Sequence, residues 1–510
     1  MTLDLPGTEE ILTVRVRFAP SPTGEPHIGN IRTVVFNWLF ARQNDGQFIL
    51  RIEDTDRERY QPGTISVIMD GLRWLGMEWD EGPDREALQA SGVEDADEYA
   101  VGGPHGPYVQ SERLEMYREA AKTLIERGWA YRCNCTPERL ARVREEQRAA
   151  GEQVMYDRHC RNLAVPAEEP HVVRLKVPLE GETVVTDAIR GAITFDNALI
   201  DDQILLKSDG FPTYHLAVVV DDHDMEISHV IRGDDWISST PKRVLIYQAM
   251  GWHTPAYCHV PLVNGPDGQK LSKRHGATSI TEFRDQGYLP EALFNFLALL
   301  GWSPGEGDEQ EVFERDELVK RFDLFRVNKS PATFAYDKLN WMNGVYIRAL
   351  SNTELVERLL PFWRRAGLVP RPCPEDMEPR LSLAASLVQE RLKLLNDVVE
   401  WTDYMFAGIE TPSLDRLIPK GLTAEESADM LEGASGLLAE IEPFEAESIE
   451  QPLRDLTGEL GVSVGQLLGT LRWATTNRKA TPPLFGTLAA IGREQVLARL
   501  DAAVRRLRAG

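Results

Sequence analysis

Two short stretches of this 510-residue chain carry residue types able to do chemistry on a phosphate. The first runs from Arg17 to Asn30 and reads Arg-Phe-Ala-Pro-Ser-Pro-Thr-Gly-Glu-Pro-His-Ile-Gly-Asn. Its prolines and glycines make a tight loop whose backbone a ligand can approach closely. His27 offers an imidazole donor, and Gly29 leaves no side chain where a nucleobase or ribose would press. The second stretch, Lys270-Leu271-Ser272-Lys273-Arg274, is flanked by Gly265, Gly268 and Gly276. Such a loop can move and can bring two ammonium groups onto a polyphosphate.

Each loop needs a strand and a helix to hold it. Thr13 to Phe18 alternates polar and apolar residues as a strand does, and Ile31, Val34, Val35, Trp38 and Leu39 mark a helical face. The first amides of that helix would point at an anion. Asn44-Asp45-Gly46 reads as a turn, Phe48 to Ile52 as a second strand, and Ile65, Ile68, Met69, Leu72 and Leu75 as a second helical stripe. Alternating strands and helices predict a doubly wound parallel sheet, whose ligands sit at the strands' carboxyl ends. Glu53 falls there, as a solvated carboxylate or as the partner of an amino group.

From Ser111 the pattern changes to helices over Glu112 to Arg127 and Glu138 to Ala150, then strands over Val172 to Val177, Thr183 to Asp187 and Ala192 to Phe195. This predicts a mixed insertion between two sheet halves. The sheet resumes near Ile204, with Leu205 to Lys207 short, Tyr214 to Val220 apolar and β-branched, and Tyr257 to Val263 following a helix through Val244, Leu245 and Tyr247. Beyond Ser279 the spacing predicts only helix.

Acidic residues outnumber basic ones by 80 to 56, a formal charge of −24, which argues against indiscriminate nucleic-acid binding. The Met1 to Gly7 start lacks a secretory pattern, and no apolar run would span a bilayer, so the expected location is cytoplasmic. Five cysteines do not suggest a disulfide framework. Cys133, Cys135, Tyr156 and Cys160 are spaced to close a tetrahedral zinc knuckle, or the thiols are small core residues.

The first loop resembles the His-Ile-Gly-His signature of class I aminoacyl-tRNA synthetases, with Asn30 in place of the second histidine, and the second loop resembles Lys-Met-Ser-Lys-Ser. Together with Phe36 to Arg42 and Arg51 to Asp56, they resemble bacterial glutamyl-tRNA synthetases. The resemblance implies an α/β class I Rossmann-type catalytic domain with an α/β connective insertion, followed by an all-α anticodon-binding region. The implied segments are 11–110 and 204–279 for the catalytic halves, 111–203 for the insertion, 280–350 for a helical stem-contact domain and 351–510 for the anticodon region. The related glutaminyl enzymes carry β-barrels in the last position.

The implied activity is ATP-dependent activation of L-glutamate and its transfer to tRNA(Glu), with Mg2+ accompanying ATP. By matching family positions, His27, Lys270 and Lys273 would be catalytic. Ala19, Ser21, Gly29 and Trp236 would hold ATP beside them. Arg17, Ser21, Glu53, Tyr214 and Arg232 would hold glutamate, unless Arg232 only pairs with Asp234 or Asp235. Relatives with a zinc knuckle end it in Cys-X-His, where Asn162 stands here, so Tyr156 or His159 would have to supply the last ligand. Arg391 matches a position reading the last anticodon base. A monomer is expected. Charging of tRNA(Gln) as well, or a lapsed tRNA-binding relative, are the alternatives.

Overall fold

The computed structural model describes residues 13–509, so the expected start of the first sheet half at Ile11 and the Met1 to Gly7 reading lie outside them. The described residues divide into two compact units. One holds the chain up to Phe283 together with Leu293–Ala335; the other holds Arg284–Ala292 and the chain from Tyr336 onward.

The first unit contains, in chain order, strands β1 (Arg15–Phe18), β2 (Gln47–Leu50), β3 (Ala130–Cys133), β4 (Val172–Leu175), β5 (Glu182–Asp187), β6 (Gly191–Asp196), β7 (Ile204–Leu206), β8 (His229–Gly233), β9 (Ala256–Val260), β10 (Val263–Asn264) and β11 (Ala332–Thr333). β1 and β2 pair in parallel, with Arg17 opposite Ile49. Between them runs helix α1 (Ile28–Gln43), buried on nearly every side, from Ile28 and Ile31 through Trp38 to Ala41. The single apolar stripe in its sequence therefore understates its burial. His27 caps it in extended conformation, and the chain reverses through Asp45 at φ 48° and Gly46, where a Cβ would meet Val14 O at 2.2 Å.

A second sheet has the order β6-β5-β9-β8, with β8 parallel to β9 and β5 antiparallel to β6. Ser228 N donates to Arg15 O at 3.0 Å, tying the segment before β8 to β1. The β5–β6 hairpin, expected inside the insertion, joins this sheet through Asp187 opposite Tyr257. A third, antiparallel sheet, β3-β4-β7, carries the rest of the insertion.

Three expectations about elements need correction. Tyr214 to Val220 is not a strand but the start of the helix Tyr214–Asp224. Leu216 to Val220 are all buried in one apolar cluster, and a short run buried all round carries no period that separates helix from strand. The strand expected over Tyr257 to Val263 stops at Val260, before Pro261, which has no amide to donate to a ladder. The segment after Ser279 is not wholly helical, because Ala332–Thr333 pairs in parallel with Val263–Asn264.

In the second unit every described element is helical. Capping boxes start three of its helices, Ser351 with Glu354, Thr423 with Glu426 and Ser463 with Gln466, each satisfying amides that no helical carbonyl reaches. Trp363 is fully buried and donates to Thr402 Oγ1 at 2.8 Å. Arg380 and Arg499 donate to carbonyls at helix ends, including Met405, Ile491, Tyr404 and Ala407, where the helix dipole favours a cation.

Candidate active site

At the carboxyl ends of β1, β2 and β8 lies a cavity of about 1000 Å³. The first loop supplies one wall, with Arg17, Ala19, Ser21, His27 and Asn30; Glu53, Tyr214, Arg232 and Trp236 supply others. Eight of the predicted site residues thus face one space. Gly29, Lys270 and Lys273 are not among its lining residues.

His27 Nδ1 accepts from Gly29 N at 3.1 Å, which fixes the ring at the head of α1. Burial, and next the Lys270 ammonium, push its pKa below the ordinary histidine value, so the ring is neutral at pH 7. The segment just after the second loop lies beside the first: Ile28 N donates to Thr278 O at 2.7 Å, and His27 bridges to Ser279. Within the loop, Lys270 lies 3.9 Å from Asp235, and Ser272 caps a short turn, Lys273–His275. At Gly265 a Cβ would meet the His275 ring at 2.6 Å, so a side chain there would displace that ring.

Arg17 does not present an open fork. Its Nε and Nη2 donate to the two oxygens of Asp222 at 3.1 and 3.3 Å. Asp222 also accepts from Arg51 at 2.8 Å, and Arg51 donates to Glu53 at 3.0 Å. These groups are buried, and the chain of charges orients Arg17 and Glu53 together. Against the cost of burial, Arg17 and Arg51 hold Asp222 ionised, below the usual carboxylate range. Glu53 is the exception: burial outweighs Arg51 and pushes its pKa up to about 7. An ammonium arriving beside it would restore the carboxylate.

Arg232 forms no ion pair with Asp234 or Asp235. Asp234 pairs with Arg190 at 2.7 Å, while Arg232 Nε donates to His259 Nε2 at 3.0 Å and Nη2 to Thr240 at 2.7 Å. His259 Nδ1 faces Asp187 at 2.6 Å, so the carboxylate keeps the proton on Nδ1 and leaves Nε2 to accept. Arg232 Nη1 is buried without a hydrogen-bond partner among the described residues, which suits a carboxylate in the cavity. Tyr214 and Trp236 stand together, ring centres 4.8 Å apart.

Sequence reasoning missed Asp222, Arg51, Asp187 and His259. Asp221-Asp222, directly after the apolar run ending at Val220, was the available signal, since carboxylates carried into a core must find cations.

Cys133, Cys135 and Cys160 bring their sulfurs within 4.8 Å of one another, and the Tyr156 hydroxyl lies 3.3 and 3.4 Å from two of them. Tetrahedral zinc at about 2.3 Å from each sulfur needs sulfurs about 3.8 Å apart. The three thiols form a cluster of the size a metal ion requires, with the Tyr156 hydroxyl beside it.

Residues 13–341 match the family described as class I tRNA synthetases (E and Q), catalytic domain, and residues 354–504 match an anticodon binding domain. The glutamate-tRNA ligase of Dehalococcoides mccartyi is 48% identical over 97% of this chain and 98% of its own. That of Moorella thermoacetica is 46% identical over 97% and 99%. The chain belongs to the glutamate-tRNA ligase family. A glutamate-tRNA ligase crystal structure from Elizabethkingia meningosepticum, in complex with its amino acid, superposes with a TM-score of 0.82 at 33% identity, covering 97% of this chain and all of that one. The fold is accordingly a class I synthetase catalytic domain followed by a helical anticodon-binding domain. In the latter, Arg391 is exposed at the end of a short turn, its guanidinium 5.3 Å from the Trp401 ring centre. No helix among the described residues is long and apolar enough to cross a membrane.

Proposed function

We propose that this chain activates L-glutamate with MgATP to glutamyl-adenylate, releasing pyrophosphate, and passes the glutamyl group to a hydroxyl of the 3′-terminal adenosine of tRNA(Glu), releasing AMP. The observation carrying this reading is one cavity lined jointly by His27, Glu53, Tyr214, Arg17 and Arg232, with the segment that follows the second loop bridged to His27 at Ser279.

The glutamate carboxylate itself attacks the α-phosphorus while the bond to pyrophosphate breaks, so the protein supplies position and charge rather than a nucleophile. Glu53 holds the ammonium. Arg17, steadied by Asp222, and Arg232, through its partnerless Nη1, take the two carboxylates, and the Tyr214 hydroxyl donates at the wall. Neutral His27 donates to the phosphates as their charge shifts. Lys270 and Lys273 neutralise the departing pyrophosphate, and Ala19, Ser21, Gly29 and Trp236 receive the adenosine. Magnesium entering with ATP offsets triphosphate charge that would repel a carboxylate. Zinc held by Cys133, Cys135, Tyr156 and Cys160 would lock the strand end at Cys133 to the loop at Cys160.

The finer organisation belongs to the same reading. The insertion grips the acceptor end, 280–350 contacts the stem, and 351–510 reads the anticodon through residues including Arg391. The chain acts as a cytoplasmic monomer. The test is aminoacylation with labelled glutamate and purified tRNA(Glu) and tRNA(Gln), each omitted in turn. Label should enter tRNA(Glu) only when ATP and that RNA are present. No charging of either RNA would reject the reading, and equal charging of both would mark the non-discriminating form.

A further inference from the structure

Behind the cavity wall lies a charge that the scheme above leaves unused. Arg243, in the helix Thr240–Met250, is 1% exposed, and none of its three guanidinium nitrogens has a hydrogen-bond partner among the described residues. Its Cζ lies 4.9 Å from the ring centre of Tyr214 and 5.2 Å from that of Trp236, and both rings line the cavity. The other buried cations here are matched: Arg17 by Asp222, and Arg51 by Asp222 and Glu53. Arg232 donates to His259 and Thr240 and lies 5.2 Å from the Tyr257 ring centre, with no ion pair among the described residues. This wall therefore carries two guanidinium groups, Arg232 and Arg243, that no carboxylate among the described residues pairs with.

A buried cation without a counter-ion is costly, and ring faces repay part of that cost. The remainder is positive potential on the far side of the two rings, inside the cavity. The field already reaches neighbouring groups: after burial, Arg243 is the next influence on Tyr214 and on His215, and it opposes ionisation of the histidine, whose pKa falls to about 3. A ligand with an anionic side chain relieves the potential, whereas a neutral amide of the same shape does not.

Resting on the glutamate reading of the cavity, we infer that Arg243 is a specificity-determining residue. It acts through Tyr214 and Trp236, without touching substrate, to favour an amino acid with an anionic side chain over its neutral amide. The experiment compares the full-length parent with R243M, R243Q and R243K. It measures KM for glutamate in aminoacylation, and the inhibition constant of glutamine as the neutral competitor. In R243M and R243Q the glutamate KM should rise about tenfold, while the glutamine inhibition constant stays within twofold. R243K, which keeps the charge, should recover most of the difference. Equal weakening of glutamate and glutamine would reduce Arg243 to packing and overturn the inference, as would an unchanged glutamate KM. Should R243M fail to fold, R243Q against R243K decides the matter on the same ratio; should neither of the two uncharged variants fold while R243K does, a structural charge is the answer and the inference falls. A parent that charges no glutamate rejects the underlying reading instead, before any variant is compared.

Discussion

Glu53 makes glutamate capture depend on pH in a direction that can be worked out. Its carboxyl is buried against Arg51, and burial pushes its pKa up to about 7. Only the ionised form can hold the substrate's ammonium, which itself stays protonated throughout this range. With a pKa of about 7, roughly one molecule in eleven has Glu53 ionised at pH 6 and about ten in eleven at pH 8. The kcat/KM for glutamate, which reports groups of the free enzyme, should therefore rise about tenfold from pH 6 to pH 8. His215 is pushed down to about 3 and His27 below its ordinary value, so both are neutral across most of this window. The assay is aminoacylation at saturating ATP and tRNA over pH 6 to 8.5, for the parent and for Glu53→Gln. The variant should lose activity and the pH step together. Stability gives a second readout with the opposite sign. A carboxyl whose folded pKa exceeds its unfolded one costs the folded state increasingly as pH climbs from the unfolded value to the folded one. Between pH 5 and 8 that cost grows by about 2.5 kcal/mol for a shift from 4.5 to about 7, so Glu53→Gln should gain on the parent by about that amount. A flat profile in the parent, or a pH step that survives in Glu53→Gln, would refute the assignment.

Arg17→Ala should raise the glutamate KM at least tenfold and leave the ATP KM within twofold, read in the same assay; it should also cost about 3 to 5 kcal/mol in denaturant unfolding, because Asp222 is left buried beside one cation fewer. Protein purified without chelator should carry one zinc per chain by metal analysis, and Cys160→Ala should lose it; substoichiometric metal in the parent would defeat the site. Arg391→Ala should lower the preference for tRNA(Glu) over tRNA(Gln) in competitive charging, with little change when tRNA(Glu) is supplied alone at saturation.

The two loops were legible because their chemistry is local: an imidazole before a helix, a glycine after it, and paired lysines between glycines are all visible within a few residues. The supports were not, because they are contacts across the chain. Arg17 meets Asp222 across 205 positions, and His259 meets Asp187 across 72. The same limit explains the misread segment. Leu216 to Val220 is apolar on every side, so only the buried pair Asp221 and Asp222, pointing back toward Arg17, Arg51 and Arg113, declares the helix. The β5–β6 hairpin was assigned to the insertion by its place in the sequence, whereas its sheet is chosen by Asp187 reaching His259 N at 3.0 Å. Arg243 gave no sign at all, since an arginine among Thr240 to Met250 reads as a solvated helix residue until both rings are seen to cover it.

The account turns on two loops acting on one triphosphate, and a double-mutant cycle measures that directly. His27→Ala, Lys273→Ala and the double variant are compared in single-turnover formation of glutamyl-adenylate with saturating tRNA. If both groups bear on the same phosphates, the double variant should lose less than the product of the two single losses, with a coupling of about 0.5 to 3 kcal/mol. Losses that simply multiply would mean that the two loops act apart, and would contradict the account.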